Sequence, residues 1–92
     1  MWIARLLQKY NLRKVDITFN DHIFQRAIER NLDLRKVERT ITEGKIIYRL
    51  CKKPNKLCFK HYFGKENKTY IVVGRLYKYF FEVETAWAKT GR

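Results

Sequence analysis

Thr69-Tyr70-Ile71-Val72-Val73-Gly74-Arg75-Leu76-Tyr77 is the stretch on which the fold turns. Its centre, Tyr70-Ile71-Val72-Val73, is apolar at every position and rich in β-branched residues. A run that short is strand-like rather than helical. Continuous apolarity reads as burial on both faces, and hence as a central strand. Just upstream, Leu57 to Phe63 alternates in type as a half-covered strand does, and Gly64-Lys65-Glu66-Asn67-Lys68 reads as the hairpin loop between the two. Before that, Lys52-Lys53-Pro54-Asn55-Lys56 is a turn and Ile46 to Cys51 a further strand. Downstream, Lys78 occupies a tight turn and Tyr79 to Trp87 forms the last strand. Hairpin connections predict that the four strands make an antiparallel sheet over residues 45–89.

The other half of the chain is periodic in a different way. Trp2, Ile3, Leu6, Leu7 and Tyr10 recur at helical spacing, with Asn11 as a stop. Val15 to Phe19 is an extended link or a brief strand. Asn20 or Asp21 caps a second helix, whose apolar stripe is Ile23, Phe24, Ala27 and Ile28 and which ends at Asn31. Asp33 caps a third, with Leu34, Val37 and Ile41 inward and Gly44 as its C-terminal stop. Nothing repeats and no linker divides the chain, so residues 1–92 read as one domain, mainly helical over 1–44. The expected fold is α+β, with N-terminal helices packed on one face of a C-terminal four-stranded antiparallel sheet.

Composition narrows the partners. The 92 residues are 46% apolar, enough for one modest core rather than a disordered tail. No apolar run is long enough to cross a bilayer, and Met1-Trp2-Ile3-Ala4-Arg5-Leu6-Leu7 is charged too early for a signal peptide, so a cytosolic protein is expected. Lys and Arg number 21 against 9 Asp and Glu, a formal charge of +12. Such an excess on a folded body repels itself unless an anion offsets it, and phosphate backbones do this by releasing condensed counterions. A solvated surface of the thermophile type accounts for many charges but not for a two-to-one imbalance of sign. Nucleic acid is therefore the expected partner, ahead of a membrane surface or an acidic protein. Exposed sheet edges leave monomer and dimer both open.

Cys51 and Cys58 are the only cysteines. They are close enough in sequence to face each other across a hairpin, but a cytosolic setting argues against an obligatory disulfide. Cys51, Cys58 and His61 lack a fourth ligand and the short spacing of a zinc knuckle, so no metal or other cofactor is expected. Two half-buried thiols are the plainer reading.

The second helix carries the chemistry. At about 100° per residue, His22, Arg26, Glu29 and Arg30 fall in one sector apart from the apolar stripe. Cleavage of RNA by its own 2′-hydroxyl needs a group to move protons near neutral pH and cations against the charge on phosphorus. Histidine supplies the first and guanidinium forks the second. Glu29 is placed to orient an arginine or the histidine. The plain alternative is a histidine bonded locally near a cap, with Arg26 and Glu29 as a surface ion pair.

Those residues also carry a resemblance. Ile17 to Asn31, with His22, Arg26, Glu29 and Arg30 as His-x3-Arg-x2-Glu-Arg, followed by Asp33-Leu34-Arg35-Lys36-Val37-Glu38 and Gly44, resembles a prokaryotic toxin-like family related to BrnT and RelE toxins. The likeness spans residues 16–88 and implies a fold of the barnase–EndoU–colicin–RelE group of metal-independent ribonucleases. Val83-Glu84-Thr85-Ala86-Trp87 is similar to the closing strand of colicin D-type nucleases, which implies that Thr85 and Trp87 flank an active site opposite His22. By alternation Thr85 and Trp87 share one strand face. Arg75 is placed to reach the same cleft. Lys60 and Tyr62 share a face of their strand and, with Trp87 and Lys89, are the candidates for phosphate and base contact. The early position of the histidine departs from RelE-type enzymes and argues against a ribosome-dependent mechanism.

Three functions follow as expectations. The first is a toxin-type endoribonuclease, with His22, Arg26, Glu29, Arg30, Arg75 and Thr85 catalytic and an acidic antitoxin covering the basic cleft. The second is a non-catalytic nucleic-acid-binding module. The third is a ParE-like toxin directed at a protein.

Overall fold

Local capping sets the helices, and a computed structural model describes all 92 residues. Helix α1 is Trp2–Lys9, strand β1 Asp16–Phe19, α2 Asp21–Glu29 and α3 Leu34–Glu43. Asn20 caps α2, its Oδ1 accepting from the Ile23 N–H at 2.8 Å, and Asp33 caps α3 by accepting from the Arg35 N–H at 2.9 Å. Asn31 ends α2 in the left-handed region at φ 55°, a conformation asparagine tolerates well. Gly44 ends α3 with φ −79°, so its role is not left-handed backbone. A Cβ there would lie 2.5 Å from the Lys60 carbonyl oxygen, and only glycine lets α3 and the sheet meet so closely.

Strand β2 is Lys45–Ile46, β3 Lys56–Phe63, β4 Lys68–Leu76 and β5 Phe80–Thr90. The sheet has five strands in the order β1-β5-β4-β3-β2. β4 is central, as its apolar run predicted, but only one of its faces is sealed: Tyr70 and Val72 are buried, whereas Ile71 and Val73 are half-buried.

The expected four-stranded antiparallel sheet is corrected at both edges. Val15–Phe19 supplies a true strand, β1, which runs parallel to β5 with Asp16 opposite Phe80 and Phe19 opposite Val83. The sheet is therefore mixed. At the other edge the expected strand Ile46 to Cys51 stops early. Ile47 makes the last bond to β3, donating to the Cys58 carbonyl, and the chain then closes a 3₁₀ turn over Tyr48–Leu50.

One cluster forms the core. Leu57, Phe59, Val72, Leu76, Phe81 and Val83 line the inner face of the sheet. Val37 and Ile41 of α3, Ile23 of α2 and Ile3 of α1 close over them. α3 covers β3 and β4, while α2 lies beside β5 and β1. That edge position accounts for a second correction. Only Ile23 and Ala27 of the expected α2 stripe are buried, and Phe24 and Ile28 stay 46% and 63% exposed. On α3 Leu34 is only half-buried. Thr40 is fully buried instead, its hydroxyl satisfied by donating to the Lys36 carbonyl at 2.7 Å.

A bulge in β5 sets the site. Gly74 pairs with Val83 and Val73 with Thr85, so Glu84 is the extra residue. Before it, Phe81 and Val83 face the core; after it, Ala86 does. The change of phase turns Thr85, Trp87 and Lys89 together to the outer face.

Candidate nucleic-acid interface and adjoining cleft

β1 stops opposite Val83, so from Glu84 onward that edge of β5 has no strand beside it. α2 takes the space. The Arg30 guanidinium donates from Nη1 to the Ala86 carbonyl at 2.8 Å and satisfies part of the open edge. Between α2 and this edge lies a cleft of about 90 Å³. His22, Arg26 and Arg30 line it from the helix, and Glu84, Thr85 and Ala86 from the strand. Four of the six catalytic candidates, His22, Arg26, Arg30 and Thr85, are thus brought together. His22 is exposed at the first turn of α2, as its place off the apolar stripe requires.

The other two lie elsewhere. Glu29 is exposed and outside the cleft lining. Arg75 stands behind Glu84, donating from Nε to Glu84 Oε2 at 3.2 Å and from Nη1 to Asn55 Oδ1 at 3.1 Å. It reaches the cleft only through that carboxylate. Lys56 approaches the same carboxylate at 3.6 Å, and Glu84 Oε1 is buried without a hydrogen bond. The sequence reading passed over Glu84; its place between two cross-strand cations in a predicted strand was the available signal.

The outer face of the sheet carries a larger concavity of about 720 Å³. Lys60, Tyr62, Trp87 and Lys89, the four proposed nucleic-acid contacts, all line it. Lys45, Arg49 and Arg92, which sequence reasoning missed, join them. No Asp or Glu side chain does. The register arranges the floor in two rows across β3, β4 and β5: Lys60, Ile71 and Trp87 in one, Tyr62, Thr69 and Lys89 in the other. The 3₁₀ turn supplies one wall. The other is the chain end, where Gly91 at φ 80° turns the backbone over Thr69, whose hydroxyl donates to the Gly91 carbonyl at 2.6 Å. Arg92 is thereby seated over the Tyr62 ring, its guanidinium carbon 4.3 Å from the centroid.

Ion pairing spares the groove. Lys36, Arg39, Lys56 and Arg75 are the basic side chains held in ion pairs, with Glu66, Glu43 and Glu84. None of them lines the groove, so its five Lys and Arg charges act unopposed.

Cys51 is half-buried and Cys58 fully buried, both as free thiols, so the reading of two half-buried thiols is corrected at Cys58. Burial pushes the Cys58 thiol up, and the nearby Cys51 adds to the effect. No group of three His, Cys, Asp or Glu side chains is gathered as a metal ligand set. No helix is long and apolar enough to cross a membrane.

No family model matches the chain, and neither a curated protein nor a solved structure matches it.

Proposed function

We propose that the protein binds RNA along the outer face of its sheet and cleaves it, without a metal, in the adjoining cleft at α2. The observation that carries this reading is the sharing of one face of β5 by Thr85, in the cleft, and Trp87, on the groove floor. A strand lying in the groove leads its phosphate to His22. The 2′-oxygen attacks phosphorus, the bond to the 5′-oxygen breaks, and His22 moves the proton from the attacking hydroxyl towards the leaving oxygen. Arg26 and Arg30 face the charge that builds on the phosphoryl oxygens. The products are a 2′,3′-cyclic phosphate and a 5′-hydroxyl. Such a nuclease is of the toxin type, and an acidic antitoxin is the inhibitor its charge would attract.

Total RNA incubated with the protein in chelator tests the reading. The wild type fragments the RNA, and His22→Ala leaves it intact while still binding it. Equal, intact RNA with both proteins overturns the cleavage. A non-catalytic binding module is the second reading, favoured by one observation: Arg30 is already engaged with the Ala86 carbonyl.

A further inference from the structure

We propose that the outer-face groove is a single-strand site in which two separate, unpaired bases lie on Trp87 and Tyr62. This rests on the RNA-binding reading above and adds which form of nucleic acid the groove takes. Trp87, Ile71 and Tyr62 share the floor, with Lys60 at the β3 end of one row and Lys89 at the β5 end of the other, while Lys45 and Arg49 stand on the β2 side and Arg92 lies over Tyr62. That distribution is the reverse of what a duplex presents. A duplex turns phosphates outward and hides the faces of its bases, so it would set charged oxygens on Ile71 and leave both rings unused. A single strand with bases down and phosphates out meets the rings and the flanking cations together.

The rings cannot hold one base between them. Trp87 and Tyr62 are two strands apart and one row out of step, which places their backbones about 12 Å apart. A base sandwiched between two rings needs them about 7 Å apart, twice the stacking distance. Each ring therefore takes its own base. Trp87 is 36% exposed, whereas one face of Tyr62 is covered by the Arg92 guanidinium, which a base stacking there displaces.

The test is fluorescence anisotropy with a 2′-O-methyl oligoribonucleotide of roughly 12 nucleotides, a length on the scale of small single-strand modules. This probe lacks the attacking hydroxyl, so binding is read apart from cleavage. The same oligomer annealed to its complement is the duplex probe. The single strand binds more tightly than the duplex at equal salt. Trp87→Ala and Tyr62→Ala each weaken it about 5- to 150-fold, and the two factors multiply in the double variant because the sites are distant. Trp87→Phe and Tyr62→Phe, which keep a ring, hold most of the affinity, and a thermal melt shows that each variant is folded. Equal binding of duplex and single strand, or unchanged affinity in both folded alanine variants, overturns the single-strand site but leaves RNA binding standing. Failure of both probes to bind in dilute buffer overturns both.

Discussion

Thr85 and Trp87 stand two residues apart on one face of β5, the first lining the cleft beneath α2 and the second the floor of the basic groove. The step between them is about 7 Å along the strand. The proposed binding face and the proposed cleavage cleft are therefore neighbours, yet they rest on different side chains and should come apart by mutation.

Thr85→Val removes the hydroxyl of a residue that lines the cleft and keeps a β-branched strand residue. It lowers the cleavage rate and leaves the dissociation constant for the methylated oligomer within about twofold, because the side chain lost carries no charge. Cleavage at the wild-type rate would remove Thr85 from the mechanism. A dissociation constant raised as far as that of a groove variant would instead place Thr85 in binding.

The edge position of α2 makes a stability prediction. Phe24 and Ile28 lie outward while Phe81, wholly buried, meets Phe59 edge to face with centroids 5.8 Å apart. Phe81→Ala costs about 3–5 kcal/mol. Phe24→Ser changes stability by roughly 0.5 kcal/mol or less, as exposed substitutions do. Urea unfolding of the two variants checks this. A large loss at Phe24 would mean that α2 is more deeply covered than its edge position allows.

Much of this arrangement was legible because it is local. Caps at Asn20 and Asp33, the stop at Asn31 and the three long strands follow from residues within a few positions of each other. What escaped is non-local. Hairpin logic pairs sequence neighbours, and β1 pairs with a strand about sixty residues later, so Val15–Phe19 showed its extended shape but not its partner. Helical spacing marked Ile23, Phe24, Ala27 and Ile28 alike, and only the position of α2 at the sheet edge decides which of them are buried. Alternation placed Thr85 and Trp87 on one face, but which face depends on the bulge at Glu84, which the sequence does not mark, since Glu82 two residues earlier is a carboxylate in the same strand without a bulge.

Arg30 has a structural duty that Arg26 lacks. Its bond to the Ala86 carbonyl satisfies an acceptor on an edge that β1 has left open. Arg30→Ala should destabilise by about 1–2 kcal/mol, the range for a charge-assisted bond that is partly exposed. Arg26→Ala should fall within about 0.5 kcal/mol of wild type. Denaturant midpoints compare the two, and equal stability would show that the Arg30 bond contributes nothing in solution.

The cysteines give a pH dependence. Burial raises the Cys58 thiol above its ordinary value of 9.0. The folded protein therefore keeps a proton there that the unfolded chain gives up. Stability from this source is complete below about pH 9 and declines as pH rises through the folded value, because only the unfolded state ionises early. Alkylation read by mass spectrometry follows the same geometry, with Cys51 reacting in the native protein and Cys58 only on unfolding. Native labelling of Cys58 at the rate of Cys51 would refute its burial.

The groove cations make the most quantitative prediction. Binding of a single strand releases counterions in proportion to the phosphates neutralised, with a slope of log affinity against log salt of about −0.7 for each. Lys60 and Lys89 stand at opposite ends of the two floor rows and have no acidic partner. Replacing either by alanine should make the slope shallower by about 0.7, and replacing both by about 1.4. Lys36 is a control, since Glu66 already neutralises it and it lies outside the groove; Lys36→Ala should leave the slope unchanged. A potassium chloride titration of each variant with the methylated oligomer measures all four proteins on one scale. If Lys36→Ala flattened the slope as much as Lys60→Ala, attraction would come from the net charge of the whole body, and the groove would lose its claim to be the place where RNA lies.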